Sequence, residues 1–205
     1  MGEPTHGPGN ARGRRTRDAL LAAARTLLEE QGFEALTMAA VAERAGITRR
    51  AVYQHFRSRS ELVTDLFTHA VADEGLAESL RPVWEAPDAV STLEEFARHL
   101  ARFTPRLRTV YHAVDRVRHQ DPDAAAHRAL TDRNQRAGAQ EVIRRLDTEG
   151  RLAPPWTEET ATDMLWALMS VDLLERLMVD RGWSREQFGE RMAALLRATL
   201  VTPGG

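Results

Sequence analysis

The chain of 205 residues has no cysteine. Disulfides and thiolate sites are therefore excluded, and a reducing compartment, the cytoplasm, is expected. It has no lysine either: all 28 basic residues are arginine. A GC-rich genome accounts for that bias, so the bias alone points to no function. No apolar run approaches the roughly 18 residues needed to cross a bilayer, so no membrane partner is expected. Residues 1–10 are polar and rich in Gly and Pro. They lack the apolar stretch of a secretory signal, and they predict a disordered lead-in over 1–11. There is no G-x-S-x-G, no glycine-rich phosphate loop and no H-E-x-x-H. His112 and His119 lie seven apart, a poor spacing for metal ligands. No enzyme activity, no cofactor and no metal are expected.

What is present is enough apolar sequence, 42%, to build a core, and an uneven charge. Residues 1–59 carry ten Arg against six acids, a net of +4, and residues 60–205 carry eighteen Arg against twenty-four acids, a net of −6. A basic head on an acidic body suggests that the head binds a polyanion while the body has another task.

No alternation of apolar and polar residues argues for strands, and the pattern predicts an all-α fold of about nine helices. The first runs from about Arg14 to Gln31, with Leu20, Leu21, Ala24, Leu27 and Leu28 as its stripe and Gly32 as its stop. Thr37 caps Met38 to Ala45, and Thr48 caps Arg49 to His55. Ser58 and Glu61 form a capping box for a helix to about Ser79. Pro82 to Pro87 interrupts. Ser91 and Glu94 then cap a helix to Phe103, and Thr104-Pro105 and Asp121-Pro122 open two more. The second of these ends at Gly150. Thr157 opens a long helix to Arg181, and Ser184 a last one to about Val201, before a loose tail over 202–205. The expected division is a head over 12–60 and a body over 61–205.

The informative stretch is Thr37 to Phe56, TMAAVAERAGITRRAVYQHF. Two short helices flank Gly46, which supplies the positive φ needed to leave the first of them. Val41 and Ala45 form one apolar face and Ile47, Val52 and Phe56 the other. At about 100° per residue, Val52 and Phe56 point inward while Arg50 and Gln54 point outward, with Tyr53 beside them. Thr48 and Arg49 lie at the exposed N-terminus. A recognition helix needs this pattern: an apolar back for docking and long hydrogen-bonding side chains in front. Arg pairs with guanine and Gln with adenine, so base readout is assigned to Arg49, Arg50 and Gln54, with Thr48 contributing.

This stretch resembles the TetR family of bacterial repressors. The resemblance covers residues 14 to 67 and rests on F33-x-x-x-T37, A42-x-x-x-G46 and V52-Y53-x-H55-F56-x-S58-R59-x-x-L62. It implies phosphate contacts from Thr37, Tyr53, His55 and Arg59, the last standing where the family usually has lysine. Arg14 and Arg15, in the basic arm RGRRTR, are candidates for further DNA contact.

The resemblance further implies a homodimer on double-stranded operator DNA and a small-molecule effector held in the body. Two broadly apolar helices near the C-terminus suit a four-helix dimer bundle, with Leu168, Val171, Phe188, Met192, Leu195 and Leu196 as interface residues. Phe96, Phe103, Tyr111, Trp166 and Met169 are candidate effector-lining residues, with His112, Asp115 or Asp172 as polar contacts. The expected function is repression from a palindromic operator, relieved by a mostly apolar effector. A ligand-responsive activator of the same fold is the alternative.

Overall fold

The structure, a computed structural model, describes residues 8–203. Eleven α-helices are present among them. They are α1 (Pro8–Gln31), α2 (Met38–Arg44), α3 (Arg49–His55), α4 (Arg59–Asp73), α5 (Leu76–Trp84), α6 (Ala89–Phe103), α7 (Arg108–Val117), α8 (Pro122–Thr148), α9 (Glu158–Leu168), α10 (Val171–Glu175) and α11 (Arg185–Leu200). The fold is all-α, as the pattern predicts. The expected lead-in is shortened, because residues 8–11 belong to the first turns of α1; residues 1–7 of that expectation lie outside the described residues.

Two of the expected helices are each two. The helix after Ser58 stops at Asp73, and Gly75, at φ 77°, turns the chain into α5. The helix after Thr157 stops at Leu168, Ser170 leaves helical geometry at ψ 130°, and α10 runs into one π turn at Arg176–Asp180. Pro82, read as a breaker, sits inside α5. The cap of α6 is Asp88 rather than Ser91: its carboxylate accepts the Ser91 N–H at 2.8 Å. That hydrogen bond holds the Asp88 carboxyl below the usual carboxylate range.

The chain forms two compact units. The first comprises the described residues up to Ala70 together with Thr109–Arg128. Its core joins the stripe of α1 to Phe33, Leu36, Val41, Ala42, Val52, Phe56, Leu62 and Leu66. Val110, Val114, Val117 and Ala124 complete the same core. The unit therefore extends beyond the expected 12–60 head, because α7 and the start of α8 cover apolar surface that three helices would leave wet.

The second unit comprises Val71–Arg108 and the residues from Ala129 on. In it α6 packs along α11 and α5. Gly189 of α11 lies so close to α6 that a Cβ there would sit 3.4 Å from the Arg98 Cα and 3.6 Å from the Ala101 Cβ. Arg145 of α8 donates to the Thr92 hydroxyl at 2.7 Å and the Ala86 carbonyl at 3.0 Å, fixing the turn that leads into α6. The tail is not loose at its start: Thr202 donates its N–H to the Arg151 carbonyl at 2.9 Å, beside an antiparallel bridge between Leu152 and Val201. Gly204 and Gly205 of that expectation lie outside the described residues. All four tryptophans, 84, 156, 166 and 183, fall in the second unit, and both tyrosines, 53 and 111, in the first. No helix among the described residues is long and apolar enough to cross a membrane.

Candidate nucleic-acid interface

The turn between α2 and α3 is built from the backbone up. Thr37 caps α2, its hydroxyl accepting the Ala40 N–H at 3.1 Å. At the other end Gly46 adopts φ 66°. Its N–H reaches the Glu43 carbonyl at 3.1 Å, and the Ile47 N–H reaches the Ala42 carbonyl at 3.0 Å. This paired closure is a Schellman motif, which turns the chain sharply only where the residue after the helix tolerates positive φ. Thr48 then caps α3, accepting the Ala51 N–H at 3.2 Å. Four residues, 45–48, thus separate two helices whose inner faces, Val41 and Ala42 against Val52, are fully or nearly fully buried.

The short helix α3 is anchored from behind. Val52 and Phe56 are both 0% exposed. Arg17 of α1 reaches across the back of the helix. Its guanidinium lies 4.5 Å from the centre of the Phe56 ring, donates to the His55 carbonyl at 2.8 Å and pairs with Asp65. The last carbonyls of a helix need such a donor, and Arg17 supplies it. This role for one arginine of the basic arm was not visible in the sequence, because the arm's spacing does not tell an inward arginine from an outward one.

The outer face carries the predicted readers. Thr48, Arg49, Arg50, Tyr53 and Gln54 are exposed, and His55 is half-buried at the end of the helix. Arg49 leans over Tyr53, with its Nη2 3.3 Å from the Tyr53 hydroxyl and its guanidinium 5.6 Å from the ring centre. Thr37 is exposed at the start of α2, and Arg14 and Arg15 are exposed on α1. Arg12 and Arg15 line one side of an open groove whose other side is formed by Ala45 and Ile47 of the α2–α3 turn. Every predicted DNA-facing residue except Arg59 presents a donor or hydroxyl away from the core or at its edge.

Arg59 departs from the expectation. Its Nε donates to the Leu36 carbonyl at 2.6 Å and its Nη2 to the Phe33 carbonyl at 3.1 Å. Its Nη1 meets both Asp121 oxygens, at 3.0 and 2.8 Å, and Asp123 at 3.2 Å. The guanidinium lies 4.7 Å from the centre of the Phe33 ring. A side chain so engaged is turned inward, where the resemblance implied an outward cation.

The candidates in the body fare unevenly. Phe188, Met192 and Leu196, expected at a dimer interface, are 2%, 5% and 1% exposed and belong to the chain's own core. They have almost no surface left for a second chain to cover. Leu195 is 49% exposed, and Leu168 and Val171 are half-buried. The effector candidates do not form one set. Tyr111, His112 and Asp115 lie in the first unit, and Phe96, Phe103, Trp166, Met169 and Asp172 in the second. His112 and Asp172 are exposed, whereas Phe96, Trp166 and Met169 pack in or against one apolar core.

A buried polar group that the sequence reading missed lies among them. His99 Nδ1 is 2.8 Å from the Ser79 hydroxyl, and its ring lies 5.8 and 5.4 Å from those of Phe96 and Phe103. Burial, helped by the charge of Arg102, lowers its pKa to about 4. A lone histidine on an apolar helix face gives no signal in one sequence that distinguishes it from a surface residue.

Residues 20–66 match the family model described as bacterial regulatory proteins, tetR family. Over these residues the chain carries a tetR-type regulatory domain. The TetR-type helix-turn-helix therefore spans α2 and α3, with α1 and the start of α4 as its support. A curated relative, the HTH-type transcriptional regulator YdeS of Bacillus subtilis, is 32% identical over 95 residues. That match covers 46% of this chain and 45% of the relative, so the chain spans about half the length of this curated relative. The HTH-type transcriptional repressor BepR of Brucella suis is 25% identical over 196 residues, covering 92% of this chain and 93% of BepR. Among solved structures, the SmeT–triclosan complex shares the fold with a TM-score of 0.72 at 21% identity, over 93% of each chain.

Proposed function

We propose that this protein is a dimeric transcriptional repressor of the TetR family that binds a palindromic operator through α3 and is released by a small, mostly apolar effector. The observation that carries the reading is the two-sided character of α3, with Val52 and Phe56 at 0% exposure behind and Arg49, Arg50 and Gln54 exposed in front. A seven-residue helix with that division can enter a major groove while its back stays docked. Tyr53, His55, Thr37, Arg14 and Arg15 are assigned to phosphate, which sets register rather than sequence. Repression is favoured by the likeness to BepR, named a repressor, over nearly the whole chain. A ligand of apolar character is favoured by the likeness to a protein solved with triclosan. For the effector to act, it must bind the DNA-competent and released states with different affinity.

Selection of binding sites from random duplexes tests the reading. Wild-type protein is expected to enrich a palindrome with half-sites about one helical turn apart. Arg50→Ala and Gln54→Ala are each expected to relax preference at one base pair, costing about 1–3 kcal/mol where a bidentate contact is lost. Wild-type discrimination retained by both variants contradicts the assignment of readers.

The dimer is expected to use the apolar surface that the core leaves exposed near the C-terminus, with Leu195 of α11 as its strongest point. Burying a leucine contributes about 1.5–3 kcal/mol, and a two-fold interface counts it twice. Leu195→Glu is therefore expected to weaken association about a hundredfold or more. Sedimentation at micromolar protein reads this directly, and a variant that remains dimeric places the interface elsewhere.

A further inference from the structure

We propose that Arg59 is the positioning residue of the DNA-binding head, with its cation satisfied inside the protein rather than by a phosphate. The proposal rests on the DNA-binding reading of α3. From the first residue of α4 the guanidinium ties two other segments together: the turn holding Phe33 and Leu36, and the start of α8, through Asp121 just before it and Asp123 in its first turn. Leu36 immediately precedes Thr37, the cap of α2. Holding the Leu36 carbonyl therefore sets where α2 begins, and α2 carries the inner face against which Val52 of α3 packs. A tilt of α2 would carry the readers of α3 with it.

Electrostatics point the same way. One guanidinium faces two carboxylates, so the cluster has a net charge of −1 and repels phosphate. The side chains of Arg59, Asp121 and Asp123 are 22%, 21% and 25% exposed, which limits screening by water. Partial burial opposes ionisation of Asp121. The Ala124 N–H, together with the hydrogen bond and charge of Arg59, outweighs it and holds the carboxyl below the usual range. The planar guanidinium alone can serve two carbonyls, two carboxylates and a ring face at once. Lysine offers a compact ammonium and no plane to stack.

That difference gives the test. Operator affinity is measured against salt for wild type, Arg59→Gln and Arg59→Lys, with fluorescently labelled duplex. Each phosphate contact contributes about −0.9 to the slope of log affinity on log salt. A positioning role predicts that both variants lose about tenfold or more in affinity while the slope stays at its wild-type value. A phosphate contact predicts a shallower slope for Arg59→Gln and full rescue by Arg59→Lys, and that pattern overturns the proposal.

The pair Asp121→Asn and Asp123→Asn closes a mutant cycle, since asparagine still caps α8. Its loss of affinity is expected in the wild-type background and is expected to vanish in Arg59→Gln; additive losses also overturn the proposal. Should Arg59→Gln fail to fold, Asp123→Asn alone is expected to weaken binding at unchanged slope. Hydrogen exchange at the Thr37 amide reads the same latch without DNA and is expected to quicken in Arg59→Lys. If wild type selects no operator, the reading of α3 fails, while unchanged exchange in Arg59→Lys is a failure of the latch.

Discussion

Phe56→Ala is expected to cost the first unit about 3–5 kcal/mol, enough to unfold much of it at room temperature. The ring is 0% exposed, packs with Val52 and Leu62 in one core and lies under the Arg17 guanidinium. Removing it leaves a cavity beneath α3 and strips the inner end of a cation–π contact. Tyr53, three residues away on the same helix and 44% exposed, supplies the control. Tyr53→Ala is expected to change stability by less than about 0.5 kcal/mol, because little packing is lost there. Urea unfolding followed by circular dichroism compares the two. Near-equal losses in both variants mean that α3 is not docked by its Val52–Phe56 face.

The second large effect is acid destabilisation from His99. Its pKa is lowered from 6.5 to about 4 by burial first and by Arg102 second. The sign follows from proton uptake. Between those values the unfolded chain binds a proton at His99 that the native chain refuses, so stability falls as pH drops from 6.5 towards 4. The difference of about 2.5 in pKa sets a ceiling of about 3 kcal/mol. His127 of α8, stacked at 3.7 Å on Phe67, is lowered to about 4 by burial and by Arg128 and adds to the same limb in the first unit. Asp88 and Asp121 act in a different window. Their carboxyls are lowered, so what they contribute persists above the ordinary Asp value and is lost only at more acidic pH. Melting temperature against pH is expected to fall between 6.5 and 4 in wild type. His99→Gln is expected to flatten that fall, and an unaltered profile in the variant assigns it to other groups.

Local chemistry made much of this fold legible. Thr37, Thr48, Ser58, Thr157 and Ser184 mark helix starts because a hydroxyl there meets an otherwise orphaned N–H, a rule that needs no tertiary context. Gly32, Gly46, Gly150 and Gly182 mark stops for the complementary reason, and all four have positive φ. The span Arg49–His55 of α3 could be read directly from such signals.

Where tertiary contacts decide, the sequence was silent or misleading. Ser91 offered a plausible capping box, but Asp88 stood three residues earlier and took the Ser91 N–H. Pro82 looked like a break, yet it lies in the second half of the nine-residue α5 without ending it. Phe188, Met192 and Leu196 read as a dimer seam because periodicity shows that a face is buried without showing what buries it; here α6 of the same chain does. The internal partners of Arg59 are invisible in the sequence for a related reason. Its neighbours in space, Asp121 and Asp123, are more than sixty positions away, and no local pattern announces them.

The segregation of aromatic residues gives the molecule two intrinsic optical labels. Tryptophan emission arises only from the second unit, and both tyrosine rings belong to the first, one of them on the outer face of α3. Selective excitation of indole therefore follows one unit through a denaturation curve without any dye. Melting of the head would show in the far-ultraviolet signal while the indole spectrum holds still, so a disagreement between those probes dates the loss of one unit against the other.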